Sequence, residues 1–297
     1  MHPIRHGMLV LMATAMMGSS FAVGKLGLDY GSPLLLAGIR FTLAGVLMAL
    51  WVGRRGLPGS ATGWTKIAAV GACQTAAVMG CIFLSLRTIT AGESSILTFA
   101  NPLLVVLFGA WLLRTRYRAS QWLGVVIGFV GVAATLGFQL QLKSGTLLGL
   151  GSAIAWAFAT ILVAKWGSKL NIWALTAYQM LFGGLLLLMM GVTLETPRLI
   201  LTGASVGIVL YLAILGSIVQ FTTWYYLLNA GDPGKTSAFL FLAPFFGVLS
   251  GWLLLREVVQ WYVYAGGFLI LVGIFLVKRP ASGRERRTDR KLQTKAL

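Results

Sequence analysis

Two stretches decide the fold: GESSILTFANPLLVVLFGAWLLR (Gly92–Arg114) and GKTSAFLFLAPFFGVLSGWLLLR (Gly234–Arg256). A shift of 142 positions aligns them without a gap, and ten of the 23 positions are identical. Gly92 falls on Gly234, Ser95 on Ser237, Phe99 on Phe241, Pro102 on Pro244, Gly109 on Gly251 and Arg114 on Arg256. Matched Gly, Pro and Arg are the positions that apolar composition alone does not produce. The echo therefore reads as a duplication of about half the chain. Each copy holds a proline inside an apolar run long enough to cross a bilayer. Proline removes a backbone donor, and within a membrane the freed groups must meet protein or a water-filled cavity. Interrupted helices at matching positions of two halves are the sequence mark of a transporter's central site.

Composition sets the surroundings. Of 297 residues, 58% are hydrophobic and only 10% charged, with a mean hydropathy of +0.85. A soluble domain carries about 25% charged residues, so the chain reads as a polytopic, all-α membrane protein. The net charge of +17 lies in short loops and a tail rather than on one folded basic face. It points to membrane orientation, not to nucleic acid. Cys73 and Cys81 share one predicted helix, roughly 12 Å apart at about 1.5 Å rise per residue, too far to pair and unsuited to a metal. His2 and His6 sit in the N-terminal arm, which excludes a buried histidine-based active site. The apolar start, with Ala13-Thr14-Ala15 inside it, runs on past any cleavage point and reads as an uncleaved first helix.

Windows of about 20 apolar residues predict ten spans: 7–28, 34–52, 66–86, 94–113, 120–138, 145–164, 172–193, 204–227, 236–255 and 259–277. With an even number of spans both termini share a side. That side carries 18 Lys and Arg against five opposite, and ten against five without the tail. Both termini are therefore expected in the cytoplasm. Five spans per copy is odd, so the second copy must be inverted. The expected units are residues 1–141, an inverted 142–280, and a basic cytoplasmic tail, 281–297, suited to a stop-transfer role or to anionic lipid headgroups.

Carboxylates are few. Asp29, Glu93, Glu195, Asp232 and Glu257 all fall at predicted helix ends or loops, so a deep proton relay is not expected. Arg40 lies inside the second span. It can snorkel or bond a structural partner, or it can face the bundle as a gate or a partner for a substrate carboxylate. Its repeat counterpart lies near Tyr178-Gln179. Lys25 and Asp29, spaced i, i+4, read as an outer-surface ion pair or as an exit-mouth gate. Ser152, Trp156 and Thr160 share a face of the sixth helix, and Ser217, Gln220 and Trp224 a face of the eighth. Gln74 and Thr75 interrupt the third, and Thr98 and Asn101 precede Pro102 in the fourth. Such residues are unfavourable in lipid and are expected to point inward. Together they predict a polar-aromatic cavity, with Gln74, Asn101 and Gln220 binding a polar head and Trp156, Phe99, Phe241 and Trp224 contacting a side chain. Pro102 and Pro244 would shape bent helices whose rocking switches access. Gly124, Gly128 and Gly131 in the fifth helix, and Gly266, Gly267 and Gly273 in the tenth, form small-residue faces that suit each other or a dimer. No P-loop, metal cluster or nucleophile–base pair occurs, so no cofactor, metal site or catalytic residue is expected.

The chain resembles the EamA branch of the drug/metabolite transporter superfamily. The resemblance is carried by Phe21-Ala22-Val23-Gly24-Lys25, by Ile39-Arg40-Phe41, by Leu86 through Pro102, by Ala243-Pro244 and by Leu255-Arg256-Glu257, and it covers residues 1 to about 280. Thr115 departs from it, standing where the branch often has an acid, as Glu257 still is. Near Met17 the first helix lacks a tryptophan that Trp156 keeps in the sixth. The resemblance implies export of small metabolites from the bacterial cytoplasm, with amino acids, aromatic ones included, as the leading substrates. The expected molecule is an inner-membrane exporter, not an enzyme, working by alternating access as a monomer, with a dimer as the alternative. Its expected partners are a small-molecule substrate and membrane lipids. Other metabolite or drug classes, a membrane enzyme on lipid-linked substrates, and a non-transporting subunit are the alternatives.

Overall fold

The computed structural model describes residues 3–53, 56–112, 117–135, 143–167, 170–230 and 239–278. Among these it is built of helices, with a lone antiparallel bridge between Gly31 and Leu199. The rods are α1, Pro3–Gly27; α2, Pro33–Val52; α3, Ala61–Ser85; α4, Ala91–Leu112; and α5, Ala119–Thr135. They continue with α6, Ser144–Trp166; α7, Ile172–Thr193; and α8, made of Gly203–Leu210, Tyr211–Val219 and Gln220–Ala230. The last are α9, Leu242–Leu255, after a 3-10 turn at Phe239–Phe241, and α10, Trp261–Lys278. Seven of the described helices are long and apolar enough to cross a membrane, and three shorter ones are also apolar. Each rod matches a predicted span, with ends displaced by a few residues. The predicted boundary at 141/142 and the basic tail lie outside the described residues.

Polar side chains start the helices locally. Thr90 accepts from the Glu93 amide and Asn171 from the amides of Trp173 and Ala174. Thr202 and Ser205 form a reciprocal capping box, and Pro33 opens α2. These groups satisfy amides that a helix N-terminus leaves without partners.

In lipid, apolar side chains gain little by facing one another, so close backbone approach and interhelical hydrogen bonds stabilise the bundle. α2 lies against α7 through Gly38, Gly45, Gly184 and Gly191; a Cβ on Gly45 would stand 2.5 Å from the Leu181 amide. α5 lies against α10, where a Cβ on Gly131 would stand 2.7 Å from the Gly266 carbonyl and one on Gly124 2.6 Å from that of Gly273. The small-residue faces of α5 and α10 thus cover each other within one chain. α1 packs beside α9 and α8, α4 beside α6, α3 beside α6 and α7, and α8 beside α2. Interhelical bonds join Thr98 to Ser152, Thr75 to Gln179 and Ser19 to Tyr211. Exposed tryptophans stand near rod ends on both faces of the bundle. Trp51, Trp111 and Trp122 lie at one face and Trp252 and Trp261 at the other, the placement expected of interfacial belts.

Candidate functional site

Three local irregularities shape the centre. α4 breaks between Thr98 and Asn101: Phe99 and Ala100 form a turn, and the helix restarts with Pro102 in its first turn. The missing donor of Pro102 needs no partner there. α3 and α8 each contain a wide π-helical segment, at Gly71–Ala77 and Tyr211–Val219. Such segments replace the ordinary backbone bonding with a wider pattern and recur at functional sites. Within α8 the Ser217 hydroxyl bonds the Leu212 carbonyl, five residues back, at 2.9 Å, and the Gly216 carbonyl accepts from Arg40.

These segments surround a cavity of about 560 Å³ between α1, α3, α4, α6, α7 and α8. Pockets that enclose small ligands run to about 300–1,000 Å³. Gln74, Phe99, Asn101, Trp156, Gln220 and Trp224 all line it, as do Arg40 and Pro102. The Phe241 side chain lies outside the described residues. Pro244 lies buried near the start of α9 rather than in the middle of a rod, and it does not line the cavity.

An aromatic row crosses the cavity. Phe99 meets Trp156 edge-on with ring centroids 5.3 Å apart, and Phe21 meets Phe99 at 6.1 Å. Among the described residues the amides of Gln74, Asn101 and Gln220 bond no other side chain. Thr160 also lines the cavity, whereas Ser152 and Thr98 of the predicted polar faces bond each other at 2.7 Å. Sequence reasoning passed over Ser20, Phe21 and Gln179 as lining residues. Ser20 and Phe21 sit in a run without periodicity, and Gln179 stands out in the sequence only as the repeat counterpart of Arg40.

Arg40 does not snorkel, and among the described residues it meets no acid. It is 3% exposed; its Nε donates to Ser217 Oγ at 3.0 Å and its Nη2 to the Gly216 carbonyl at 2.6 Å. Lys25 is not paired with Asp29. Its Nζ donates to Glu257 Oε1 at 2.7 Å and to the Ile89 carbonyl at 2.8 Å. Glu257 in turn accepts from the Ala91 amide, with Oε2 at 2.9 Å. The i, i+4 spacing had suggested a local partner, but the ammonium turns inward to the α9–α10 link. The same end is knitted by backbone bonds from Ser32 to Arg198 and from Ile200 to Tyr30. At the opposite end the lining reaches Tyr117 and Gln121 at the start of α5, Leu240 before α9, and Val277 near the end of α10. The cavity therefore extends toward the face on which α1 begins and is closed toward the other.

The described residues hold no group of three or more metal-ligating side chains. What lines the cavity can bind and orient a solute, and it offers no reactive pair.

A family model for EamA-like transporters matches the chain twice, over residues 6–137 and 143–279. An uncharacterized transporter of Bacillus subtilis, YvbV, is 27% identical over 95% of this chain and 94% of its own length. A protein of Salmonella typhimurium named a probable amino-acid metabolite efflux pump is 27% identical, over 92% of this chain and 94% of its own. A solved crystal structure superposes with a TM-score of 0.63 at 19% identity, covering 90% of this chain and 94% of that one, which supports the fold alone. A multi-pass membrane chain matched in both halves by one transporter model is no enzyme: it belongs to the EamA-like transporter family.

Proposed function

We propose that this protein exports small metabolites, foremost amino acids with apolar or aromatic side chains, across a bacterial inner membrane by alternating access. The observation that carries this reading is the one-sided cavity, in which the row Phe21–Phe99–Trp156 runs beside the amides of Gln74, Asn101 and Gln220, which bond no other described side chain. The amides suit a polar head, and the rings suit an apolar or planar body. The name of the Salmonella relative points the same way.

The architecture in this reading is ten spans in two inverted five-helix repeats, residues 1–141 and 142–280, with a basic tail at 281–297. Three observations support it. The family model matches once in each half. The π-helical segments fall at corresponding positions of the two halves. The packing pairs map onto one another when each rod is exchanged for the one five places away: α1–α9 for α6–α4, α3–α6 for α8–α1, and α3–α7 for α8–α2. Mutual coverage of α5 and α10 leaves neither glycine face for a second copy and favours a monomer. The excess of Lys and Arg on the terminus-bearing side supports cytoplasmic termini. The cavity then faces the cytoplasm, where an exporter loads.

The test is uptake of labelled amino acids into proteoliposomes that contain only this protein. Saturable uptake, competed by aromatic and apolar amino acids and reduced in Trp156→Ala and Gln220→Ala protein that remains folded, is the expected result. Absence of uptake across the panel by folded, inserted protein overturns the amino-acid reading. Parent-like transport by both variants overturns the site.

A further inference from the structure

Arg40 is a buried cation with no anion beside it among the described residues. The described groups around its guanidinium are the Ser217 hydroxyl, the Gly216 carbonyl, the nearby Tyr211 phenol and the ring of Phe41, whose centroid lies 4.6 Å from Cζ. All are neutral. The described acids lie elsewhere. Glu257 is bound to Lys25, Glu195 accepts from the Leu34 amide, Glu93 stands in the first turn of α4, and Asp29 follows α1. A guanidinium carries five donor hydrogens, and here two of its nitrogens are engaged. A buried charge without a counter-charge is costly, and Arg40 lines the cavity, so its remaining donors are offered to whatever enters. The planar fork of an arginine matches a carboxylate.

The same cavity has no described carboxylate on its wall to receive an ammonium. Amide oxygens and aromatic faces are what it offers to a cation.

We propose that Arg40 anchors the carboxylate of the transported solute and that the substrate class is amphipathic monocarboxylates, of which amino acids are one kind. The inference rests on the central cavity as the substrate site and goes beyond the export reading in making the amino group dispensable. The carboxylate docks on Arg40 and the apolar body lies along Phe21, Phe99 and Trp156. An ammonium, where present, is held by neutral amides alone.

The test is equilibrium binding to purified full-length protein, followed by intrinsic tryptophan fluorescence. Four probes share one phenyl body: L-phenylalanine, N-acetyl-L-phenylalanine, 3-phenylpropanoate and 2-phenylethylamine. The three carboxylates should bind within about tenfold of one another and compete, while the amine binds at least about thirtyfold more weakly, the effect of removing one member of a desolvated charge pair. Arg40→Gln should bring the carboxylates down to the level of the amine. Binding of the amine as tight as that of 3-phenylpropanoate, or undiminished carboxylate binding by folded Arg40→Gln protein, overturns the anchor. So does a fluorescence response to chloride that no carboxylate displaces. Should Arg40→Gln not fold, the parent protein's preference between acid and amine decides. Carboxylate binding without amino-acid flux leaves the anchor standing and overturns amino-acid export. Amino-acid flux with equal binding of the amine does the reverse, and binding of none of the four overturns both.

Discussion

Lys25 Nζ lies 2.7 Å from Glu257 Oε1, joining residues 232 positions apart in sequence. The Glu257 side chain is 8% exposed and that of Lys25 28%, and the same carboxylate caps the Ala91 amide at the start of α4. One acid thus joins α1, the α4 entrance and the α9–α10 link at the closed end of the cavity. Glu257→Ala should lower the unfolding free energy by about 1–3 kcal/mol, the cost of leaving a buried donor without its acceptor. Glu257→Gln should cost less, because it can still accept from Ala91. Denaturant unfolding of the purified variants checks both the size and the order. An alanine variant as stable as the parent would mean that water screens the pair like a surface bridge.

Arg256, one residue earlier, has a φ of +53°, in the left-handed region. It ends α9: its amide bonds the Trp252 carbonyl at 3.1 Å, and the Glu257 amide bonds that of Gly251 at 3.2 Å. This helix stop is ordinarily occupied by glycine, and an L-residue there costs roughly 1–2 kcal/mol. Arg256→Gly should therefore stabilise the protein, by about 0.5–1 kcal/mol after the offsetting gain in unfolded-chain entropy. A rise in melting temperature with unchanged flux is the expected result.

Two glycines should respond oppositely to the same change. A Cβ on Gly266 would stand 2.5 Å from the Gly131 carbonyl and 2.6 Å from Thr135, whereas one on Gly207 would meet nothing within 4 Å. Gly266→Ala should destabilise by about 1–3 kcal/mol through overpacking. Gly207→Ala, inside a helix, should stabilise by about 0.5–1 kcal/mol. Thermal unfolding in one detergent, with the pair measured side by side, gives the two signs.

Pro102 fixes the restart of α4 after the Phe99–Ala100 turn. Pro102→Ala restores a donor and removes the ring, which lets α4 run straight. Flux should fall about tenfold, corresponding to about 1.4 kcal/mol of barrier, while the dissociation constant of a bound carboxylate stays within about threefold. A loss of affinity equal to the loss of flux would assign Pro102 to the binding wall instead of the moving part.

Much of the fold was legible because lipid imposes one rule, a long apolar run, and seven of the described helices obey it in full while three shorter ones keep the apolar composition. The helix ends were legible to within a few residues, since caps such as Thr90 and Asn171 are local. The cavity lining was partly legible because Gln74, Asn101, Trp156 and Gln220 interrupt apolar runs. The π-helical segments were not, because widening one turn leaves no mark in composition. The partner of Lys25 was not legible either. Asp29 had the right spacing, but only the packed bundle brings Glu257 within reach. Arg40 could be recognised as out of place in lipid, yet its neutral surroundings become visible only when α8 is laid beside α2.

The bond between Lys25 and Glu257 has no charged echo. In the 142-residue register Lys25 corresponds to Gly167, just after α6, and Glu257 corresponds to Thr115. On the alternating-access reading, two matched halves would otherwise give two resting states of equal energy. A bond worth about 1.4 kcal/mol at one end alone sets their occupancies at about ten to one. Spin-label distances across the closed face of Glu257→Gln protein should report a move toward even occupancy. In the parent, the empty carrier would spend most of its time facing the side from which cargo must be collected, so that an ion pair placed outside the binding cavity gives a nearly two-fold-symmetric machine its direction of readiness.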